Sequence, residues 1–302
     1  MALSIHTNYS ALVTQTNLGK TNSALSTNQQ RLGTGYRVNS AADDAAGLQI
    51  ATRLSAQSRG MAVATRNTND AVSLLQTSEG ALSEMTDIVQ RMKDLATQSA
   101  NATASSDDRD AMQAEYDQLG QELGNVIKNT KYAGEGLFSD GGASAVTDGS
   151  AGKFSAALDF QIGASADEKL TLDVSTPLTD LTTALDTLSA QYATPDSTTP
   201  GTEIAGADGT AANGMITTLS DALDSIGSLR AQFGANINRL NHTANNLANM
   251  KDNTDVARGT IMDADFASES ATMTKNSMLL QSGISMLKQA GQMPGMVMSL
   301  LG

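Results

Sequence analysis

The residues best able to do chemistry are few and scattered. His6 and His242 stand far apart in the 302-residue chain, and neither belongs to the H-E-x-x-H pattern that places two zinc-binding imidazoles on one helical face. Asp43-Asp44 sets two carboxylates side by side. Adjacent helical positions point about 100° apart, so the pair suits the positive end of a helix better than an acid–base or metal site. No glycine-rich stretch has the spacing of a phosphate or dinucleotide loop, and serines are plentiful without a histidine placed to activate one. Eight methionines from Met250 onward offer soft sulfur ligands or an adaptable groove; their simpler reading is apolar packing in a helical seam. Asn101-Ala-Thr103 has the form of a glycosylation acceptor, here read as a chance match. Without cysteine there is no disulfide and no thiolate metal site. The expectation is a protein with no catalysis, no metal and no cofactor.

Composition narrows the class further. Aromatics make 3% of the chain and tryptophan is absent, so one bulky core is not expected. The net charge of −13 repels phosphate backbones and argues against a nucleic-acid partner. No apolar run approaches the ~20 residues that span a bilayer, so no membrane partner is expected. The first twenty residues lack the basic start, apolar block and cleavage site of a secretory signal; the chain is read as cytosolic or as exported by a route that does not use one.

Charge and breakers are unevenly placed. Residues 140–224 hold thirteen acidic residues against Lys153 and Lys169, and also Pro177, Pro195 and Pro200. Two near-neutral flanks therefore enclose an acidic insertion. In the flanks the period is helical. Leu18, Leu25 and Leu32 repeat every seven residues, and Gly33-Thr-Gly35 breaks the pattern. Asn39-Ser40 offers N-cap chemistry ahead of Asp43 and Asp44. Leu75, Leu82 and Val89, with Met85 and Met92, then make a three-then-four seam; a helix over 61–99 would measure about 58 Å. A further helix follows Ser105-Ser106, with Met112, Tyr116, Leu119, Leu123 and Val126 on its buried stripe. The closing flank carries Ile226, Phe233, Leu240 and Leu247 on one heptad column and Leu223, Arg230, Ile237 and Ala244 on another. Phe266, Met273, Leu280 and Leu287 repeat every seven, and Pro294 is expected to close that helix.

Inside the insertion the period becomes two. Phe154 to Ile162, then Leu170, Leu172 and Val174, predict a β-hairpin near 154–174, and 191–214 reads as a surface loop. Pairing the flanks gives the predicted fold class: mainly α, a long antiparallel helical coiled-coil rod formed by the N- and C-terminal flanks, with a small β-hairpin element. The first ~32 and last ~40 residues have too little surrounding context to be stable helices alone. Their stripes need neighbouring molecules, which predicts a self-assembling rod.

Longer stretches carry a family likeness. Leu25-Ser-Thr-Asn-Gln-Gln-Arg-Leu32, Gly35-Tyr-Arg-Val-Asn-Ser-Ala-Ala-Asp-Asp-Ala-Ala-Gly47, Glu79-Gly-Ala-Leu82, Gln90 to Asn101, Gln113-Ala-Glu115, Asn238-Arg-Leu240, Asn245-Asn-Leu247, Leu279 to Gly283 and Met293 to Leu301 together resemble bacterial flagellin. The resemblance covers roughly 1–138 and 215–302. It implies an extracellular filament subunit, a homopolymer of identical chains, exported through the flagellar type III channel with help from an export chaperone and a cap protein. It implies an inner helical layer over 1–42 and 262–302, a rod layer over 43–190 and 211–261, and only 191–210 in place of a large outer domain. The terminal assembly seam would comprise Leu18, Leu25, Leu32, Phe266, Met273, Leu280 and Leu287. The resemblance further implies recognition by the flagellin-sensing Toll-like receptor of vertebrates at Gln90, Arg91, Leu95, Glu115 and Arg239, residues that also serve subunit contact. Arg91 and Leu95, four apart, would share one helical face. A hook-associated junction protein and a cytosolic coiled-coil binding module are the alternative readings.

Overall fold

Helix α1 spans Tyr9–Thr34, and Gly35 ends it in left-handed backbone at φ 74°, its N–H reaching Arg31 O at 2.8 Å. A side chain would be strained there, so glycine marks the stop. The computed structural model describes residues 8–139, 152–193, 199–206 and 208–301; His6, Asp140, Asp148, Pro195 and Asp196 lie outside the described residues.

Helix α2 spans Ala45–Ser99 and so begins well before the seam that announces it. Asp44 is its cap, accepting the Gly47 N–H at 2.8 Å, while Asp43 folds back to accept the N–H groups of Ser40 and Asn39 and the Ser40 hydroxyl. The cap is thus Asp44 rather than Asn39-Ser40. The Ser40 N–H, the Ser40 hydroxyl and the Asn39 N–H hold the Asp43 carboxyl below the usual carboxylate range. Helix α3, Ser106–Asn129, starts as expected. Ser105 and Asp108 exchange a capping box, and the Ser105 hydroxyl and N–H likewise hold the Asp108 carboxyl low.

The closing flank forms α6, Thr210–Met262, and α7, Phe266–Leu301. The predicted loop 191–214 is therefore overrun at its end by the first turns of α6. Pro294 does not close α7, which runs on to Leu301. A proline removes one N–H, and the carbonyl it strands, that of Ala290, receives a hydrogen bond from the Asn8 side chain instead.

The chain divides into two compact units, 1–58 with 252–302 and 59–251. These limits lie inside α2 and α6, not at the sequence-based 42/43 and 261/262 boundaries. Helix ends do not decide compactness here, and the Ser58 hydroxyl bond to Asp255, at 2.9 Å, keeps those segments with the terminal unit.

In the terminal unit α1 pairs antiparallel with α7, from Asn8 against Ala290 to Arg31 against Glu269. The links between helices pair too. Met262 O accepts the Arg37 N–H, Gly35 O accepts the Ala264 N–H, and Tyr36 bridges Asp263.

In the 59–251 unit, Leu75, Leu82, Met85, Val89 and Met92 of α2 are fully buried, as are Phe233 and Leu240 of α6. The second α6 column differs from expectation. Ala222 and Leu229 are the fully buried members, whereas Leu223, Arg230, Ile237 and Ala244 are only half-buried. Arg230 instead reaches Glu79 at 2.8 Å along the edge of the seam. On α3 the stripe ends on buried Ile127, with Leu119 and Val126 partly covered.

A two-residue ladder, β1 (Lys131–Tyr132) with β2 (Glu135–Gly136), turns through Ala133 and Gly134, both at positive φ. The predicted hairpin is present but shorter: β3 (Leu158–Gln161) pairs antiparallel with β4 (Lys169–Leu172), Leu158 opposite Leu172. Phe154 sits in a single 3-10 turn before it, and its ring packs between Phe138 and Phe233 at centroid distances of 5.7 and 5.1 Å. Helix α4 (Ser175–Asp186) and the short α5 (Ala190–Ala193) follow.

Residues 199–206 are not a loose surface loop. The Gln113 amide oxygen accepts the N–H of Ile204 at 2.7 Å, Asp117 accepts that of Gly201 at 2.9 Å, and the Ile204 side chain is fully buried. The Gln113 NH2 group also donates to Asp117 and Glu203, both at 2.7 Å. It thus bridges two carboxylates.

Candidate functional site

The terminal pair is built unlike the rest of the chain. The covered stripe of α1 runs Ala11, Thr14, Leu18, Thr21, Leu25, Asn28, Leu32, a three-then-four spacing in which every second member is small or polar apart from the leucines. The opposing stripe of α7 runs Met273, Asn276, Leu280, Gly283, Leu287, Ala290. Six of the seven seam residues expected from the sequence lie on these stripes and are half-buried. Phe266 does not. It is the first residue of α7 and is 58% exposed.

Shape and charge set the pairing. A Cβ on Gly283 would stand 2.8 Å from Leu18 Cδ1, so the glycine forms the notch that receives that leucine. Arg31 and Glu269 bond at 3.0 Å. Asn28 is buried, and its NH2 group finds no acceptor among the described residues. None of these three devices is visible as such in the leucine repeat, although Thr14, Thr21 and Asn28 continue the same spacing.

What the pair leaves exposed is as informative. Tyr9, Leu12 and Val13 of α1, and Met278, Leu279, Ile284 and Met286 of α7, lie 40 to 70% exposed. Among the described residues of this unit only Val38, Ala51 and Ala290 are buried hydrophobics, whereas the 59–251 unit holds the continuous core. Apolar residues thus lie exposed on both sides of a two-helix pair with almost no interior.

The proposed recognition residues separate on inspection. Gln90, Arg91 and Glu115 are exposed, and Arg91 of α2 binds Glu115 of α3 through Nε at 2.8 Å and Nη2 at 2.7 Å. Leu95 corrects the sequence reading. It is 2% exposed and belongs to the buried cluster that also holds residues of α3 and α6. Arg239 is exposed on α6 and bonds Asn236. With α6 antiparallel to α2 and Arg230 bonding both Glu79 and Thr86, Arg239 lies roughly 20–30 Å along the helices from Arg91. The five residues do not form one cluster.

Other chemical candidates stay bland. His242 is exposed, Asp43 and Asp44 bond only backbone and Ser40, and Asn101 lies in the exposed turn after α2. Among the described residues no group of three or more His, Cys, Asp or Glu is placed to hold a metal, and no helix is long and apolar enough to cross a membrane.

Long paired flanks, a cored unit and a coreless apolar terminal pair define a self-associating helical structural protein. The pattern described as the bacterial flagellin N-terminal helical region matches residues 5–143, and that of the C-terminal helical region matches 216–301. The chain belongs to the bacterial flagellins. Flagellin A of Vibrio anguillarum is 36% identical with the whole of both chains aligned, and polar flagellin C of Vibrio parahaemolyticus is 33% identical over the whole of both. The first alignment runs over 378 positions against 302 residues here, so this is a short form without a large outer domain. A solved flagellar hook-associated protein from Vibrio parahaemolyticus, 16% identical, has a TM-score of 0.57 over 73% of this chain and 100% of its own; that likeness is of fold. The protein is a structural filament subunit, not an enzyme, and its place is the extracellular flagellar filament.

Proposed function

We propose that the terminal pair α1–α7 is the inner helical layer through which subunits contact one another, and that the cored unit belongs to the rod layer. The layers would correspond to 1–42 with 262–302 and to 43–190 with 211–261, with 191–210 as the remnant between the halves. The observation that carries this reading is the exposure of Leu12, Met278, Leu279 and Met286 on a pair of helices with almost no core. Ordering such helices costs about 1–2 kcal/mol per residue in backbone entropy, which contacts between chains must offset. Brief proteolysis of monomer is expected to remove both terminal helices, to leave the 59–251 unit intact and to abolish polymerisation. Equal resistance of the ends in monomer and filament would sink this assignment. Export through the type III channel with an escorting chaperone, and placement beneath a cap protein, are part of the same proposal, and membership of the flagellin family supports them.

The second reading concerns the host. Gln90, Arg91 and Glu115 form an exposed polar face suited to the flagellin-sensing Toll-like receptor, with Leu95 supporting it from beneath and Arg239 a separate contact. The Arg91–Glu115 pair is half-exposed on both sides, so its loss should hardly move stability. The double variant Arg91→Ala, Glu115→Ala should cut monomer-induced receptor signalling by about tenfold or more while leaving helicity unchanged. A variant that signals like wild type, or a silent wild-type monomer, removes the receptor assignment.

A further inference from the structure

Helix α7 passes through a proline, and the residue that makes this possible sits at the other end of the chain. Position 294 has no N–H, so the carbonyl four residues earlier, on Ala290, loses its helical donor. Ala290 is buried, at 8% exposure, and water is a poor substitute there. Asn8 Nδ2 donates to that carbonyl at 2.6 Å, across 282 residues of sequence. The same side chain works at its other end. Asn8 is the N-cap of α1, and its Oδ1 accepts the Ala11 N–H at 3.1 Å. An asparagine amide has both a donor and an acceptor, and here each is used on a different helix.

We propose that Asn8 is a two-headed clamp that couples the start of α1 to the proline break in α7, and so fixes the register of the terminal pair in the filament. An apolar residue repeated every seven positions on both helices tolerates by itself a slip of one heptad, because Leu18, Leu25 and Leu32 are equivalent to one another, as are Met273, Leu280 and Leu287. Asn8 has no such equivalent. A slip in either direction moves the Ala290 carbonyl about 10 Å along the axis, out of reach of a short side chain. The Leu18–Gly283 notch and the Arg31–Glu269 pair agree with the same register. Aspartate or serine at position 8 would cap α1 equally well but carries no amide donor. Alanine at 294 would restore the helical N–H to the Ala290 carbonyl. The Ala290 carbonyl therefore depends on the Asn8 donor only while residue 294 is proline.

This rests on the terminal pair being the layer that packs between subunits. The test is a double-mutant cycle on the full chain, read as the critical concentration for polymerisation. Asn8→Ser should raise it roughly tenfold, the effect of leaving one buried carbonyl unpaired. Pro294→Ala should polymerise at or below the wild-type concentration. The double variant Asn8→Ser, Pro294→Ala should return to within about twofold of Pro294→Ala, since the donor lost on one helix is regained on the other. No effect of Asn8→Ser, no rescue in the double variant, or a Pro294→Ala chain that does not polymerise each overturns the clamp. Failure of the packing reading itself looks different: monomer with its ends removed would still form filaments, whatever the cycle gives.

Discussion

Leu280→Asp is expected to yield a folded chain that forms no filaments. Leu280 lies on the covered stripe of α7, between Asn276 and Gly283, facing α1. A carboxylate there meets the leucine row of α1. Arg31, the partnered cation of the seam, is already held by Glu269 near the opposite end of α1. Holding an uncompensated charge in such a seam costs several kcal/mol, and at about 3 kcal/mol the critical concentration rises more than roughly a hundredfold. The terminal unit has almost no buried residues with which to absorb that cost. The 59–251 unit does not depend on it, because its core is built from Leu75 to Met92, α3 and the Ile226–Leu240 column. Sedimentation should show no polymer while thermal denaturation of the cored unit is unchanged. Ordinary filaments from this variant would mean that Leu280 faces solvent.

The contrast between the two units explains what the sequence made legible. Where a heptad column is filled by large apolar residues, spacing predicted burial well: Leu75, Leu82, Val89, Ile226, Phe233 and Leu240 are all at or below 1% exposure. The Ser105 cap was also readable, because its capping partner lies three residues away. Spacing says which face of a helix is covered but not by how many neighbours. Leu95 stands one turn from Arg91, and from sequence both belong to one open face. With α3 and α6 both on α2, that side is closed. The longer arginine side chain still carries its guanidinium out to Glu115.

Non-local partners account for the other departures. Pro294 reads as a stop because local rules remove a hydrogen bond, and nothing nearby in sequence indicates that Asn8 replaces it. Residues 199–206 have the small polar composition of an open loop. Gln113, Asp117 and Ser99 hold them from 84 to 105 positions away, including the Ser99 hydroxyl that donates to Ile204 O at 2.5 Å. Phe154 continues an alternating pattern and so reads as strand. Its ring is drawn instead toward Phe233, some eighty residues on, and the backbone turns to allow it.

That aromatic contact is where the cored unit should be most sensitive. The chain has five phenylalanines, and three of them, Phe138, Phe154 and Phe233, stack in one row and are fully buried. They join the segment after α3, the turn before the hairpin, and α6 within one buried cluster. Phe154→Ala leaves a ring-sized void at the middle of the row. Such truncations cost about 3–5 kcal/mol, and in a unit of this size each kcal/mol lowers the melting temperature by about 2–4 °C. A fall of roughly 10 °C is expected, with Phe154→Leu recovering most of it and Leu158→Ala, at a half-exposed strand position, giving far less. A shift under about 2 °C for Phe154→Ala would show that the hairpin hangs on the helices by its backbone alone. The larger shift would show that the insertion is part of the core, so that a flagellin without a large outer domain still depends on its acidic middle segment to keep the two flanks together.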